Sequence, residues 1–401
     1  MSQVNSKLWT KDFIILSLVN FFLILIHMLL NVIIALYAVN EFNASTGQAG
    51  VVAGIFIIGA LIGRLVTGKI INRVEYKRIL IIGLIFFTIT ILLYFIDYSL
   101  PLLMVGRLLN GLAMGIATTV IGTIVVLAIP KSRRGEGISY FAVSTALATG
   151  IGPFLGIYMT QHTEFNIIFL FSLSLGAVST IVGFFVNVPM APKTTEENRG
   201  GFKISNYIEP KAVPIGIIVL LMTFSFSSVL SYINLYAVEL DLVSAASFFF
   251  GIYTVSVLVS RPFTGKLVDR KGANYIMYPA FFLFGAGMLL LSTVDQSLTL
   301  LLAGGLIGLG FGNISSISQT VITLKVTPER IGYATATFFI FYDIGTGFGP
   351  FILGLIIPFT GYSMMYAILG IMVFAVSFLY YFLHGKTERK NRMLSLKDKA
   401  Q

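Results

Sequence analysis

The chain consists of long apolar runs separated by short polar segments. A helix needs about 20 apolar residues to cross the hydrocarbon core of a bilayer. Twelve runs approach or exceed that length, so the pattern predicts an all-α polytopic membrane protein. The predicted spans are 13–39, 47–68, 79–97, 101–129, 138–160, 166–188, 212–238, 246–267, 275–294, 298–324, 332–358 and 363–383.

Polar stretches predict how the spans are grouped. The longest one between runs, residues 189–211, is expected to be a cytoplasmic linker. It separates an N-terminal bundle of six helices, 1–188, from a C-terminal bundle of six, 212–384. Residues 385–401 form a short basic tail, also expected in the cytoplasm.

Composition narrows the function classes. Of the 401 residues, 56% are hydrophobic and 11% are charged, whereas soluble proteins carry about 25% charged residues. Cysteine is absent, and the three histidines are scattered, so neither a thiol site nor a metal site is expected. No nucleotide-binding P-loop is visible, which argues against ATP-driven transport by this chain alone. No catalytic constellation is visible either, so neither an enzyme nor a cofactor is expected.

The basic residues predict the orientation. With the N-terminus in the cytoplasm and twelve spans, Lys and Arg fall in cytoplasmic loops, while the outer loops carry acidic residues. Of 27 basic residues, only Arg107 lies well inside a span. This distribution follows the positive-inside rule and predicts a multi-pass protein of the plasma or inner membrane with both termini cytoplasmic. It also explains the net charge of +10 without a nucleic-acid partner.

An internal repeat links the two predicted bundles. Shifting the chain by 197 residues brings landmarks from four separated regions into register. The coinciding pairs include Arg64 with Arg261, Gly68 with Gly265, Arg133 with Arg330, Gly152 with Gly349 and Pro153 with Pro350. A duplicated six-helix unit is typical of transporters in which two halves rock about a central site.

Several motifs carry a resemblance to a known family. GKLVDRKG at 265–272 resembles the loop signature of the major facilitator superfamily, G-x-L-x-D-R-x-G-R-K, and GKIINRVE at 68–75 is a degenerate copy with Asn72 at the Asp position. LLMVGRLLNGLAMG at 102–115 resembles the fourth-helix motif R-x-x-Q-G. ALATGIGPFLG at 146–156 resembles the fifth-helix antiporter motif. Together they resemble the twelve-helix drug/metabolite:proton antiporter branch.

The resemblance implies two pseudo-symmetric bundles around a cavity lined by spans 1, 4, 7 and 10. It further implies proton-coupled efflux of small, partly apolar molecules by alternating access. The expected partners are the lipid bilayer, a small-molecule substrate and protons, and the protein is expected to be a monomer. Two alternatives stay open: a proton-coupled nutrient or sugar uptake symporter, and a non-transporting or flippase-like relative.

The loop signature predicts a gate. Asp269 is placed to cap the N-terminus of a neighbouring helix, where a carboxylate meets free N–H groups and a positive dipole end. Such a contact would hold one side of the protein closed. The alternative is a merely basic loop. The gating-loop residues are Gly68, Asn72, Arg73, Gly265, Asp269, Arg270 and Gly272.

A Gly-Pro pair is predicted inside one helix of each bundle. Gly152 and Pro153 match the exporter-associated motif, and Gly349 and Pro350 repeat it. Proline removes a backbone N–H and kinks a helix, and glycine lets a neighbouring helix approach closely. The pairs indicate either an export motif or a symmetric packing kink.

Ionisable residues inside spans are the candidates for proton coupling. Asp343 lies about 16 Å into its span, where an ionised Asp costs around 3 kcal/mol. It should face a wet cavity, pair with a cation or be protonated; the alternative is a hydrogen-bonded packing residue. Arg107 cannot deprotonate, so it should pair with or tune a carboxylate, unless it snorkels to the outer headgroups. His27 is the third candidate.

Neutral polar residues are the candidates for the substrate cavity. Asn20, His27 and Asn31 follow one helical stripe in the first span. Small polar residues also join helices within membranes, and that alternative stays open. The other candidates are Asn110, Ser231, Asn234, Asn313, Ser316 and Gln319.

Overall fold

The computed structural model describes residues 8–71, 73–96, 99–188 and 208–390. Within these ranges every regular element is helical, and eleven helices are long and apolar enough to cross a membrane. The helices are α1 (Lys11–Phe42), α2 (Thr46–Ile70), α3 (Tyr76–Leu92), α4 (Leu100–Ala128), α5 (Arg134–His162), α6 (Phe165–Phe184), α7 (Val213–Glu239), α8 (Val243–Lys271), α9 (Asn274–Ser292), α10 (Ser297–Leu324) and α11 (Ile331–Tyr380).

Helix α11 accounts for the difference between twelve predicted spans and eleven observed helices. Its 50 residues would extend about 75 Å at 1.5 Å per residue, far more than a hydrocarbon core of about 30 Å. Gly361 interrupts it with φ 69° and ψ 175°, a conformation outside the helical region. The helix therefore consists of two spans, 331–360 and 362–380, and the predicted all-α fold is confirmed.

Local sequence explains several helix beginnings. The Thr10 hydroxyl accepts a hydrogen bond from the Phe13 amide at the start of α1. Ser45 and Gln48 form a capping box before α2, in which each side chain bonds the backbone of the other. These side chains satisfy N–H groups that have no partner within the helix.

Glycines allow α2 and α4 to pack at backbone distance. A Cβ added at Gly115 would lie 3.1 Å from the Cα of Ala60, and Gly111 is similarly close to Phe56. Across α8 and α10, Gly308 meets the backbone of Tyr253 in the same manner. Small residues at such interfaces let membrane helices gain van der Waals contact.

Residue contacts divide the chain into two compact units. Each unit gathers most of one predicted bundle together with the start of one helix from the other sequence half. Unit 1 contains Met1–Pro130, Ser144–Pro210 and Val326–Ile340, and unit 2 contains Lys131–Val143, Lys211–Lys325 and Phe341–Gln401.

The 197-residue repeat reappears as matching contacts within the two units. In unit 1, Arg64 on α2 donates to the hydroxyl of Thr119 on α4 at 3.4 Å. In unit 2, Arg261 on α8 donates to the hydroxyl of Ser316 on α10. Arg64 and Arg261 are 197 positions apart, and so are Thr119 and Ser316. The repeat therefore preserves a buried interaction as well as residue types.

The C-terminal helix continues past the predicted span. Residues 386–390 remain helical. The Glu388 carboxylate accepts hydrogen bonds from the backbone N–H groups of Ala273 (2.5 Å) and Asn274 (3.1 Å), where α9 begins. The segment that the sequence predicts to be a tail from 385 therefore contributes a helix cap before it ends. Three predicted features lie outside the described residues: Asn72, most of the 189–211 linker and the tail from 391.

Candidate functional site

Asp269, near the end of α8, caps the N-terminus of α5. Its Oδ1 accepts from the N–H of Gly135 at 2.7 Å, and its Oδ2 accepts from the N–H of Glu136 at 2.9 Å. Both donors belong to the first turn of α5, whose amides have no partner within the helix. The capping contact predicted from GKLVDRKG is therefore present, and it joins residues from the two sequence repeats. We call it the α5–α8 latch.

Glycine and an ion-pair network support the latch. A Cβ at Gly265 would lie only 2.7 Å from the Cα of Glu136, so the helices approach this closely only because position 265 has no side chain. The Glu136 carboxylate pairs with Arg133 at 2.8 Å and with Lys266 at 3.8 Å. Sequence reasoning missed Glu136; the i, i+3 spacing of Arg133 and Glu136 was the available signal.

Two other residues of the loop motif, Arg270 and Gly272, lie at the C-terminal end of α8. Arg270 is exposed, and no ion pair involving it is found among the described residues. Gly272 ends α8 with φ +83°, a left-handed conformation that favours glycine. The ion pairs beside the latch are therefore made by Arg133 and Lys266 rather than by Arg270.

The degenerate first-half motif retains the packing of the latch. A Cβ at Gly332, at the start of α11, would lie 2.7 Å from the Ile71 side chain. The equivalent pair in unit 2, 197 positions away, is Gly135 and Val268, where the distance is 3.1 Å. The capping position itself, Asn72, lies outside the described residues. Nearby, Gly68 is buried and Arg73 is exposed. The Arg330 side chain forms an ion pair with the buried Glu209.

Arg107 is a fully buried cation on α4. Its exposed fraction is 0%, so the alternative that it snorkels to the headgroups is wrong. Its Nε donates to the carbonyl oxygen of Val52 at 3.5 Å, and the guanidinium lies 4.7 Å from the ring centre of Phe56. Neither Nη1 nor Nη2 has a hydrogen-bond partner among the described residues.

Two further polar groups surround the same ring and charge. His27 on α1 stacks on Phe56 with ring centres 4.3 Å apart, and its Nδ1 is buried with no partner in the described structure. The buried hydroxyl of Tyr94 lies beside the Arg107 side chain and interacts with it, although not at the geometry of a full hydrogen bond. We call His27, Phe56, Tyr94 and Arg107 the Arg107 cluster.

Asp343 lies on α11, about 18 Å from the start of that helix at 1.5 Å per residue. Its side chain is partly exposed, and its carbonyl oxygen accepts from the Thr346 hydroxyl at 3.4 Å. Its position near the bilayer midplane stays a prediction. Asp343 belongs to unit 2, whereas Arg107 and His27 belong to unit 1.

Two cavity candidates, Asn20 and Asn110, form hydrogen bonds to side chains on other helices. The Asn20 amide nitrogen donates to the hydroxyls of Ser144 (2.8 Å) and Thr145 (3.1 Å). The Asn110 amide nitrogen donates to the Thr90 hydroxyl at 2.9 Å, while its Oδ1 is buried without a partner among the described residues. These contacts are those of polar residues that hold helices together.

The other cavity candidates divide into buried residues and exposed residues. The Asn313 Oδ1 accepts from the Thr264 hydroxyl at 2.8 Å, and Ser316 accepts from Arg261. Gln319 is also buried, and its Nε2 has no partner among the described residues. The remaining cavity candidates are exposed: Asn31, Ser231 and Asn234.

The Gly-Pro pairs lie at close helix contacts. A Cβ at Gly152 would lie 2.6 Å from the Met28 side chain on α1. Gly349 on α11 is similarly tight against Ser227 on α7, and the Pro350 carbonyl accepts from the Tyr232 hydroxyl at 2.5 Å. The packing interpretation thus has direct contacts in each unit, and Pro153 lies inside α5 as predicted.

A family model described as Major Facilitator Superfamily matches residues 16–350 and 244–398. The chain belongs to the major facilitator superfamily. This facilitator is 26% identical over 359 residues to an MFS-type transporter of Methanocaldococcus jannaschii, covering 86% of this chain and 92% of the relative. It is 21% identical to the staphylopine export protein of Staphylococcus aureus, covering 87% and 90%. It is 24% identical to multidrug resistance protein 1 of Bacillus subtilis, covering 79% and 82%.

Solved structures agree on the fold of the facilitator. The human organic anion transporter MFSD10 matches with a TM-score of 0.76 at 14% identity, covering 92% of this chain and 98% of that one. The transporter FucP, in the outward conformation, matches with a TM-score of 0.74 at 14% identity, covering 94% and 99%. These structures show the fold, and the family match makes the protein a multi-pass membrane transporter.

Proposed function

We propose that this facilitator is a secondary active exporter that moves small, partly apolar molecules out of the cell in exchange for protons. The observation that carries the proposal is the pair of relatives named for export and for multidrug resistance, which cover 87% and 79% of the chain. The proposed exporter is a monomer in the plasma membrane with both termini in the cytoplasm, as the distribution of Lys and Arg favours.

The α5–α8 latch supplies the gate in this proposal. Two hydrogen bonds from Asp269 to backbone N–H groups of α5, at 2.7 and 2.9 Å, join the two sequence repeats without a covalent link. Such a contact breaks and reforms as one repeat moves against the other. Asp269 therefore stabilises one of the two alternating states, and the latch opens when the other is reached.

Asp343 carries the proton in this proposal. Among the carboxylates that the structure describes, it lies furthest from the ends of its span, and its side chain is partly exposed. A proton moving down about 100 mV supplies about 2.3 kcal/mol, enough for a substrate gradient of roughly fifty-fold. Arg107 and His27 are the other candidates for coupling.

The test compares Asp343→Asn with the wild-type protein in reconstituted vesicles. Three fluorescent dyes, one cationic, one neutral and one anionic, are followed with and without an imposed pH gradient. We expect gradient-driven dye transport in the wild type and its loss in Asp343→Asn, while dye–dye exchange persists because the shape of the site is kept. Asp295→Asn, at an exposed position between α9 and α10, is the matched control.

If the pH gradient drives dye transport in Asp343→Asn as strongly as in the wild type, this carboxylate does not carry the proton. His27 is then the next candidate. Proton-driven uptake into right-side-out vesicles, in place of efflux, would overturn the exporter proposal in favour of a symporter. If all three dyes bind but none moves, the flippase-like or non-transporting alternative gains support.

A further inference from the structure

The Arg107 cluster contains buried donors that form no full hydrogen bond with the part of the chain that the structure describes. Arg107 is completely buried, and its Nη1 and Nη2 have no partner among the described residues. Burial of an uncompensated charge is costly, because the group loses its hydration and receives nothing in return. The contact with the Phe56 ring at 4.7 Å recovers only part of that cost.

Two other buried arginines use their terminal nitrogens within the fold, although the Nε of Arg261 has no partner among the described residues. Arg64 donates to the hydroxyls of Thr118 and Thr119 at 3.1 and 3.4 Å. Arg261 uses both terminal nitrogens, one toward Ser316 and one toward the carbonyl oxygen of Gly312. Arg107 differs from both because its terminal nitrogens have the Tyr94 hydroxyl beside them but form no full hydrogen bond among the described residues.

The second repeat has neither the arginine nor the histidine of the cluster. A shift of 197 residues turns His27 into Phe224, Tyr94 into Leu291 and Arg107 into Gly304, while Phe56 becomes Tyr253. A Cβ at Gly304 would lie 3.1 Å from the ring of Phe249, so an apolar ring lies close to this position. Helix packing in unit 2 therefore does not require a cation or an imidazole at these positions.

The unit that contains Arg107 offers it no internal counter-ion. The carboxylates that the structure describes in unit 1 lie at helix ends or in connections. They are Asp12, Glu41, Glu75, Glu164, Glu209 and Glu329. None of them forms a hydrogen bond with Nη1 or Nη2 of Arg107. Within unit 1, therefore, no described carboxylate hydrogen-bonds to the terminal nitrogens of this cation, and the carboxylate of a bound molecule would supply that partner.

We propose that the Arg107 cluster binds the carboxylate of an organic anion. Nη1 and Nη2 of Arg107 donate to the two carboxylate oxygens, a paired geometry for which a planar guanidinium is well suited. The Tyr94 hydroxyl and the His27 ring nitrogen supply further donors, and the Phe56 ring packs against the apolar part of the ligand. That this anion is also a transported substrate rests on the exporter proposal.

Matched pairs of carboxylates and carboxamides test the site on the purified full-length protein. The probes are benzoate, 2-naphthoate and decanoate, each with its amide, and the readouts are the thermal midpoint and the Kd. We expect at least one carboxylate to stabilise the wild type more than its amide. In Arg107→Gln the affinity for that carboxylate should fall by about tenfold or more, because charge-assisted hydrogen bonds are lost.

Further variants separate charge from geometry and from folding. Arg107→Lys keeps the positive charge but not the two parallel N–H donors of the guanidinium, so an intermediate affinity is expected. Tyr94→Phe should weaken carboxylate binding a few-fold and leave amide binding unchanged, and it serves if Arg107→Gln does not fold. Arg78→Gln removes the same charge from an exposed ion pair with Glu75, whose side chains are 72% and 71% exposed. This control should bind as the wild type does.

Two results would overturn the anion site: equal stabilisation by all three amides and their carboxylates, or unchanged carboxylate affinity in Arg107→Gln and Tyr94→Phe. The transport assay keeps this outcome apart from the exporter proposal. Gradient-driven movement of the neutral dye together with no carboxylate preference would reject the anion site alone. Carboxylate binding through Arg107 without gradient-driven transport of any dye would reject the exporter proposal alone.

Discussion

Replacing Asp269 by alanine should release the α5–α8 latch. The change removes hydrogen bonds of 2.7 and 2.9 Å to the N–H groups of Gly135 and Glu136. Loss of a helix cap costs about 0.5–2 kcal/mol, and a hydrogen bond to a charged group contributes about 1.5–3 kcal/mol. Because Asp269 is only partly buried, we expect about 2 kcal/mol in total. That energy corresponds to roughly a thirtyfold shift in population.

Thiol labelling can measure this shift, because the natural chain has no cysteine. Ser139 is 1% exposed, and its Cβ would lie 2.9 Å from a Cβ at Gly265, so it is covered by the latch. In a Ser139→Cys background, the rate of maleimide alkylation reports how often the contact opens. We expect Asp269→Ala to raise that rate about thirtyfold, and Asp269→Asn to raise it less because the amide oxygen still accepts one bond.

The control for this experiment is Asp295→Ala, which removes an exposed carboxylate elsewhere in unit 2. Its alkylation rate should equal that of the Ser139→Cys parent. An unchanged rate in Asp269→Ala would refute the reasoning, because the two hydrogen bonds would then contribute nothing to the closed contact. An equal effect of Asn and Ala would show that the charge alone matters.

Two further substitutions test the packing of the helices. Gly115→Val should lower the thermal midpoint by several degrees or prevent folding, because the new side chain meets the backbone of Ala60; Gly50→Val, at a position with no atom within 4 Å, should have a much smaller effect. Asn313→Ala should cost about 1–2 kcal/mol through three lost hydrogen bonds, whereas the exposed Asn234→Ala should leave the midpoint unchanged. Equal midpoints within either pair would contradict the corresponding prediction.

The helices were predictable because lipid imposes a strict rule on the chain. Every backbone polar group within a bilayer must be satisfied inside the protein, so long apolar runs become helices. The observed ends lie within five residues of the predicted ones for α1 to α10. The exception is the boundary within α11, where only a short connection separates two apolar runs and Gly361 alone interrupts the helix.

The latch was also predictable, but its surroundings were not. Asp269 follows from a signature whose carboxylate is suited to a helix N-terminus, and the geometry agrees. Its donors, Gly135 and Glu136, lie more than 130 positions away in the sequence. Nothing in a single sequence identifies which helix end lies beside which loop. The role of Glu136 therefore required the structure.

Arg107 illustrates a different limit. The sequence predicts that a buried arginine needs a partner, because its charge persists at every physiological pH. Only coordinates reveal that the terminal nitrogens of Arg107 form no full hydrogen bond among the described residues, whereas Arg64 uses Nη1 and Arg261 uses Nη1 and Nη2. Small polar residues such as Asn20 are ambiguous for the same reason, since a substrate contact and a helix contact use the same side chain.

Glu388 sets a practical limit on how the C-terminus can be shortened. Its carboxylate holds the first amides of α9, so a truncation that stops at Gly385 would expose those donors and loosen the start of that helix. A truncation after Lys390 would retain the cap. Purification tags and fluorescent fusions are therefore best attached after residue 390, and a loss of yield with shorter variants should be attributed first to α9 rather than to the missing basic residues.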